Sequence, residues 1–229
     1  ERFRERARRS AGLRNPHFVQ VYGCDVAEGL PYMVMEYLPG GTLAERLAEG
    51  AGQGRGLSLP EVTRILEPLA DALDAAHAQG LVHGALSPAN VLFTARGQAV
   101  LTDFGIAELL GPLSLANSSG AGLAAYMSPE QAAGKPLSAA SDNYALGILA
   151  YEMVCGRPPF SGGTPAGVML QHLTEPPPAP DRAGGDLPEQ ADVVLLKALA
   201  KDPAARYGQA RDLARAFAAA AQGRAAAIP

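Results

Sequence analysis

Apolar positions recur along this chain at two spacings, and the changes of spacing mark out its elements. Phe3, Ala7 and Leu13 share one face of a predicted helix over residues 1–14. Asn15-Pro16 should end it, because the residue before a proline is pushed out of the helical region. His17 to Asp25 and Pro31 to Tyr37 are β-branched or apolar runs separated by Glu28-Gly29, the pattern of a hairpin. Pro39-Gly40-Gly41 breaks the chain, and Thr42 can cap a short helix through Leu47. Glycines make 50–56 a flexible connection. Ser58-Leu59-Pro60-Glu61 then has the form of a capping box with proline in the first turn. Behind it Val62, Ile65, Leu66, Leu69, Leu73 and His77 recur at helical spacing.

Three short apolar runs follow, predicted as strands at Leu81-Val82, Val91 to Phe93 and Ala99 to Thr102. Gly111 to Gly122 is small and polar and reads as a flexible segment. From Ser141 to about Cys155 the apolar residues surround the whole helical circumference, which predicts a helix buried on every side. Pro176-Pro177-Pro178 marks a surface loop. Helices are predicted near Pro188 to Ala200 and Tyr207 to Gln222, and no internal repeat is visible. The order is a small mixed segment followed by a helical body.

Composition narrows the possibilities. A chain of 229 residues, 48% hydrophobic and 18% charged, suits one globular unit or two tightly joined lobes. Its formal net charge of −4 lacks the basic excess that a nucleic-acid or anionic-membrane surface needs. Cys24 and Cys155 read as reduced core thiols of a cytoplasmic protein. No apolar run reaches the ~20 residues of a membrane span, and no secretory leader is expected. The chain starts at Glu1 rather than Met, as an excised piece would. His17, His77 and His172 lack metal-ligand spacing.

The candidate chemistry lies in His83-Gly84-Ala85-Leu86-Ser87-Pro88-Ala89-Asn90, followed thirteen residues after Asn90 by Asp103-Phe104-Gly105. These stretches resemble the catalytic loop and metal-binding motif of protein kinases, whose loop reads His-Arg-Asp-Leu-Lys-Pro-x-Asn. Further motifs follow in the family's order: Pro31 to Tyr37, Tyr126-Met127-Ser128-Pro129-Glu130, Asp142 to Gly147, Gly156-Arg157-Pro158-Pro159-Phe160 and Lys201 to Tyr207. Taken together the chain resembles a bacterial, eukaryotic-like Ser/Thr protein kinase over nearly its whole length. The resemblance implies an α+β, protein-kinase-like fold, with a partial N-lobe (one helix, called αC in that family, and a hairpin) and a complete, mainly helical C-lobe. It divides the chain into an N-lobe remnant at 1–37, a C-lobe at 38–222 and a tail at 223–229.

The resemblance also implies roles. Met35 would be the gatekeeper, with Glu36, Tyr37, Leu38 and Leu92 around an adenine, and Asn90 and Asp103 would hold magnesium beside ATP. His83, Phe104 and Gly105 would be structural, Asp142 would accept bonds from the catalytic-loop backbone, and Glu130 would pair with Arg206. Several positions depart from the pattern. Ala85 stands where the proton-accepting Asp belongs, Ser87 where a Lys contacts the phosphate, and Leu123 where a Thr bridges those two. Gly84 replaces the Arg that grips a phosphorylated activation loop, which deprives Ser114, Ser118 and Ser119 of that partner. Arg6 falls where the helix αC glutamate belongs, with Glu5 one place off, and no lysine precedes Lys135. In the family the glycine-rich loop and the ATP-anchoring lysine strand would lie before Glu1.

Phosphoryl transfer depends on positioning and charge neutralisation, so losses clustered on one phosphate predict a pseudokinase that scaffolds protein partners. Those partners would be an active kinase or other domains of the same chain, with no nucleic acid involved. Candidate surfaces are Thr164 to Leu173 and the groove beneath Tyr126 to Glu130. Two alternatives stay open: an active Ser/Thr kinase, and a gene product in decay. The same resemblance predicts a cytoplasmic location, with any membrane tether outside this stretch, and ATP–magnesium binding that is weak or absent.

Overall fold

The computed structural model of the chain describes residues 12–28, 30–51, 56–104, 121–181 and 187–224. Glu5, Arg6, Gly105, Ser114, Ser118 and Ser119 lie outside them, as do nearly all of the predicted first helix and the end of the tail. Gly12 to Arg14, the last residues of that predicted helix, are not helical.

Strands β1 (Val21–Ala27) and β2 (Leu30–Met35) form an antiparallel hairpin with Cys24 opposite Met33 and Ala27 opposite Leu30. Glu28 enters its turn at a φ of 51°. The run predicted from His17 is divided, because its first residues bond elsewhere. The Leu101 N–H reaches the His17 carbonyl at 2.8 Å, and the Val19 N–H reaches the Leu101 carbonyl at 2.9 Å. These bonds tie the hairpin's base to a second antiparallel pair, β3 (Val91–Phe93) and β4 (Ala99–Leu101).

Leu81-Val82 forms no strand, which corrects the expectation above. The Leu81 N–H closes on the Ala76 carbonyl at a helix exit, and the His83 and Gly84 N–H groups turn to a carboxylate instead of a ladder. Gly122 likewise belongs to a one-turn helix, α3 (Ala121–Ala124), and not to a loop.

Helix α1 (Leu43–Ala51) starts as predicted. The Thr42 hydroxyl accepts from the Glu45 N–H at 3.1 Å, and the Glu45 carboxylate accepts from the Thr42 N–H at 2.7 Å. In α2 (Leu59–His77) the Ser58 N–H and hydroxyl both reach Glu61, and the apolar stripe from Val62 to Leu73 is buried. After the short α4 (Pro129–Ala132) comes α5 (Ala139–Cys155), the centre of the molecule, with 14 of its 17 residues buried. Around it pack α2, α7 (Glu189–Ala198) and α8 (Ala210–Ala221), while α6 (Pro165–Thr174) covers α3 and α4. The approach of α5 to α7 requires Gly147, since a Cβ there would sit 2.8 Å from the Ala198 Cβ. Asp74 caps α8 by accepting the Ala210 and Arg211 N–H groups at 2.9 and 3.1 Å. Cys24 and Cys155 are both free thiols.

Candidate functional site

Asp142, in the first turn of α5, builds the site's foundation. One carboxylate oxygen accepts the His83 N–H and the other the Gly84 N–H, both at 2.8 Å, and His77 Nε2 joins the first at 2.7 Å. Buried on every side, this carboxylate sets the loop from His83 to Asn90 on the protein's central helix. Gly84 takes a φ of 74°, which glycine adopts without strain. Its carbonyl accepts from Gln131 Nε2 at 2.6 Å.

His83 is fully buried, and burial pushes its pKa down, so the ring is neutral. Its Nε2–H donates to the Thr102 carbonyl at 2.9 Å, and Nδ1 accepts the Ala85 N–H at 3.3 Å. Phe104 leans on the His83 ring at 4.6 Å between centroids and meets Phe18 edge-on at 4.7 Å. Both rings therefore sit in packing contacts.

Asn90 Nδ2 donates to the Ala85 carbonyl at 2.9 Å, and the Asn90 carbonyl accepts from the Thr102 N–H at 3.1 Å. The side-chain oxygen of Asn90 has no hydrogen-bond partner among the described residues. Asp103 sits at a φ of 63°, in the left-handed region that Asp tolerates better than most residues. Burial pushes its carboxyl pKa up, opposed by His83 and by a long 3.4 Å bond from the Thr102 hydroxyl. A partly desolvated carboxylate and a free amide oxygen suit a hard cation. Magnesium would take the rest of its shell from nucleotide phosphates and water, because no group of three or more His, Cys, Asp or Glu gathers among the described residues.

Beside these, Met35 Sδ accepts from the Thr102 hydroxyl at 3.6 Å, which puts the gatekeeper position against the residue before Asp103. Glu36 uses its N–H on the Gln20 carbonyl at 2.8 Å. The segment after it is pinned to β3 by the Gly40 N–H to the Phe93 carbonyl, 2.9 Å, and the Phe93 N–H to the Gly41 carbonyl, 3.0 Å. Leu92 is half-buried in that strand, while Tyr37 is exposed.

The surroundings of Met127 are apolar. Ala85, Leu123 and Met169 pack on buried Met127, and a half-open recess of about 10 Å³ is lined by Gly84 to Leu86, Leu123, Tyr126, Met127 and Gln131. Such a space is at the lower limit for one water molecule. Asp74, one of the two acids nearest to Ala85 in sequence, is committed to capping α8. Lys197 lies over the Tyr207 ring, Lys201 bonds the Gln171 and His172 carbonyls, and Lys135 is exposed beyond α4.

Glu130 and Arg206 form a bidentate pair at 2.8 and 2.9 Å. Burial alone would raise the Glu130 pKa, but Arg206 and the Ser141 hydroxyl hold it below the ordinary value. Sequence reasoning missed three supports of the same segment. Tyr126 donates its hydroxyl to Glu152 at 2.6 Å, His172 bridges the Tyr144 hydroxyl and the Ala125 carbonyl, and Gln131 holds Gly84. Glu152 could have been found, as an acid inside an otherwise apolar helical run. The other two carried no pattern of their own.

A central helix that holds a His-x-x-Leu-x-Pro-x-Asn loop by an aspartate, with a buried Glu–Arg pair below it, is the C-lobe of a protein kinase. The chain belongs to the protein kinase domain family, whose pattern matches residues 3–218. It is 41% identical over 220 residues to a probable serine/threonine-protein kinase of Streptomyces coelicolor, covering 93% of this chain and 32% of that protein. To the serine/threonine-protein kinase PknB of Mycolicibacterium smegmatis it is 39% identical over 222 residues, covering 93% of this chain and 34% of that protein. The chain thus spans about a third of the length of these curated relatives. The PknI kinase domain of Mycobacterium tuberculosis, a crystal structure, superposes with a TM-score of 0.67 at 29% identity, covering 95% of this chain and 78% of that one. No helix among the described residues is long and apolar enough to cross a membrane.

Proposed function

We propose that this chain is a pseudokinase module, a kinase C-lobe scaffold that works through protein contacts and does not transfer phosphate at a useful rate. The observation that carries the reading is the Ala85–Leu123–Met127–Met169 packing where a base and its charged neighbours would act. A methyl group accepts no proton, and general-base assistance alone contributes roughly 10²–10⁴ in rate. Partners would be an active kinase or other domains of the same protein. They would meet α6, where Leu170 and Leu173 are exposed, and the adjoining groove beneath Tyr126 to Glu130.

A second reading, an active Ser/Thr kinase using ATP and magnesium, is favoured by the retained Asn90 and Asp103 oxygens and by relatives named as kinases. In that case Asn90 and Asp103 would hold the cation, which would neutralise phosphate charge. Glu36 and Leu38 would offer backbone groups to the base of the nucleotide.

Radiolabelled ATP phosphotransfer by the full-length protein, beside an Ala85→Asp/Ser87→Lys/Leu123→Thr variant, separates the two. A silent parent with a labelled variant is expected. Labelling by the parent that disappears in Asp103→Ala would establish the kinase instead.

A further inference from the structure

We propose that the positions emptied of catalytic groups form an apolar latch, which holds residues 123–127 against the loop at 83–87 without any phosphate. Met127 is 2% exposed, and the three side chains packed on it come from three separate elements: Ala85 from the loop, Leu123 from α3 and Met169 from α6. Without a charged group in such a place apolar side chains can meet, and only a half-open recess of about 10 Å³ remains beside them. The segment and its surroundings are also tied by hydrogen bonds separate from the latch. Ala125 accepts from His172 at 3.1 Å, Tyr126 donates to Glu152 at 2.6 Å, and Gln131 donates to the Gly84 carbonyl at 2.6 Å. None of these partners is a cation that a phosphate could recruit, and Gly84 has no side chain to offer one.

The consequence is regulatory. A segment ordered by phosphate is switched by a kinase and a phosphatase. This one is held by burial, so the surface it shares with α6 is presented constitutively. The latch rests on the reading that positions 85 and 123 no longer serve phosphoryl transfer, and its test needs no ATP.

Hydrogen exchange on the full-length protein, read over 123–127 and over α5, gives the answer. Phosphatase treatment should leave protection at 123–127 unchanged. Leu123→Thr should speed exchange there roughly tenfold while α5 stays protected, because part of a half-buried leucine is exchanged for a hydroxyl. Leu123→Ile should keep the protection, and Met169→Ala, which removes the latch from the α6 side, should loosen the same amides even if Leu123→Thr fails to fold. Unchanged exchange in both Leu123→Thr and Met169→Ala, or loosening by phosphatase, overturns the latch. Phosphotransfer by the unmodified protein overturns the pseudokinase reading, whatever the exchange shows.

Discussion

Arg206 directs its five N–H bonds to five oxygens: both of Glu130 and the carbonyls of Ala140, Ala200 and Lys201. No other side chain can satisfy that set, since lysine carries three donors on one atom and cannot fork. Arg206→Ala should therefore cost on the order of 3–5 kcal/mol, most of it from the stranded Glu130 carboxylate, measured by urea unfolding near neutral pH. Glu130 has a folded pKa below its unfolded value. The pair's contribution is thus present above the unfolded pKa and is lost as pH falls through the folded one, so the wild-type advantage over Arg206→Ala should shrink in acid. At this scale the sequence was informative where a motif carried the residue, as for Glu130, Arg206 and Asp142. It was silent where a residue matters only through a distant neighbour. His77, an ordinary position of an apolar stripe, turned out to bond Asp142 from 65 residues away.

Among the elements, α5 was the most legible because a run apolar on all sides has one stable environment, the interior. Its boundary was less so: the helix begins at Ala139, behind Ser138, and not at Ser141. Crowding around α5 makes Gly147→Ala a sharp test, since the added methyl would meet the Ala198 Cβ at 2.8 Å and Leu199 at 3.3 Å. Overpacking of that kind costs about 1–3 kcal/mol, against the gain that alanine usually brings to a helix. A lower urea midpoint would bear this out, and a higher one would mean that α7 can give way. Short apolar runs were harder to read. Val91 to Phe93 and Leu81-Val82 look alike in sequence, yet only the first found a strand to pair with.

At the scale of the whole molecule, buried histidines contribute to the response to pH. His172 is fully buried between α6, α5 and the segment at Ala125, and burial pushes its pKa from 6.5 down to about 4. Between those values the unfolded chain binds a proton that the native one does not, so stability is highest above the upper value and falls as pH drops toward the lower. The slope is up to ~1.4 kcal/mol per pH unit for one site, and His83, also shifted down by burial, adds to it. Urea midpoints taken near neutrality and about two pH units lower should differ, and by less in His172→Gln.

Periodicity and motif order alone determined the kinase-like fold, the central helix and the Glu130–Arg206 pair, because those are properties of residue type and spacing. Only tertiary structure decided that Ala85, Leu123, Met127 and Met169 meet, and that Gln131, Tyr126 and His172 tie down one segment. Such contacts join residues up to 47 positions apart in the chain, as Gly84 and Gln131 are, and are made by packing and long-range bonds, which no local pattern records.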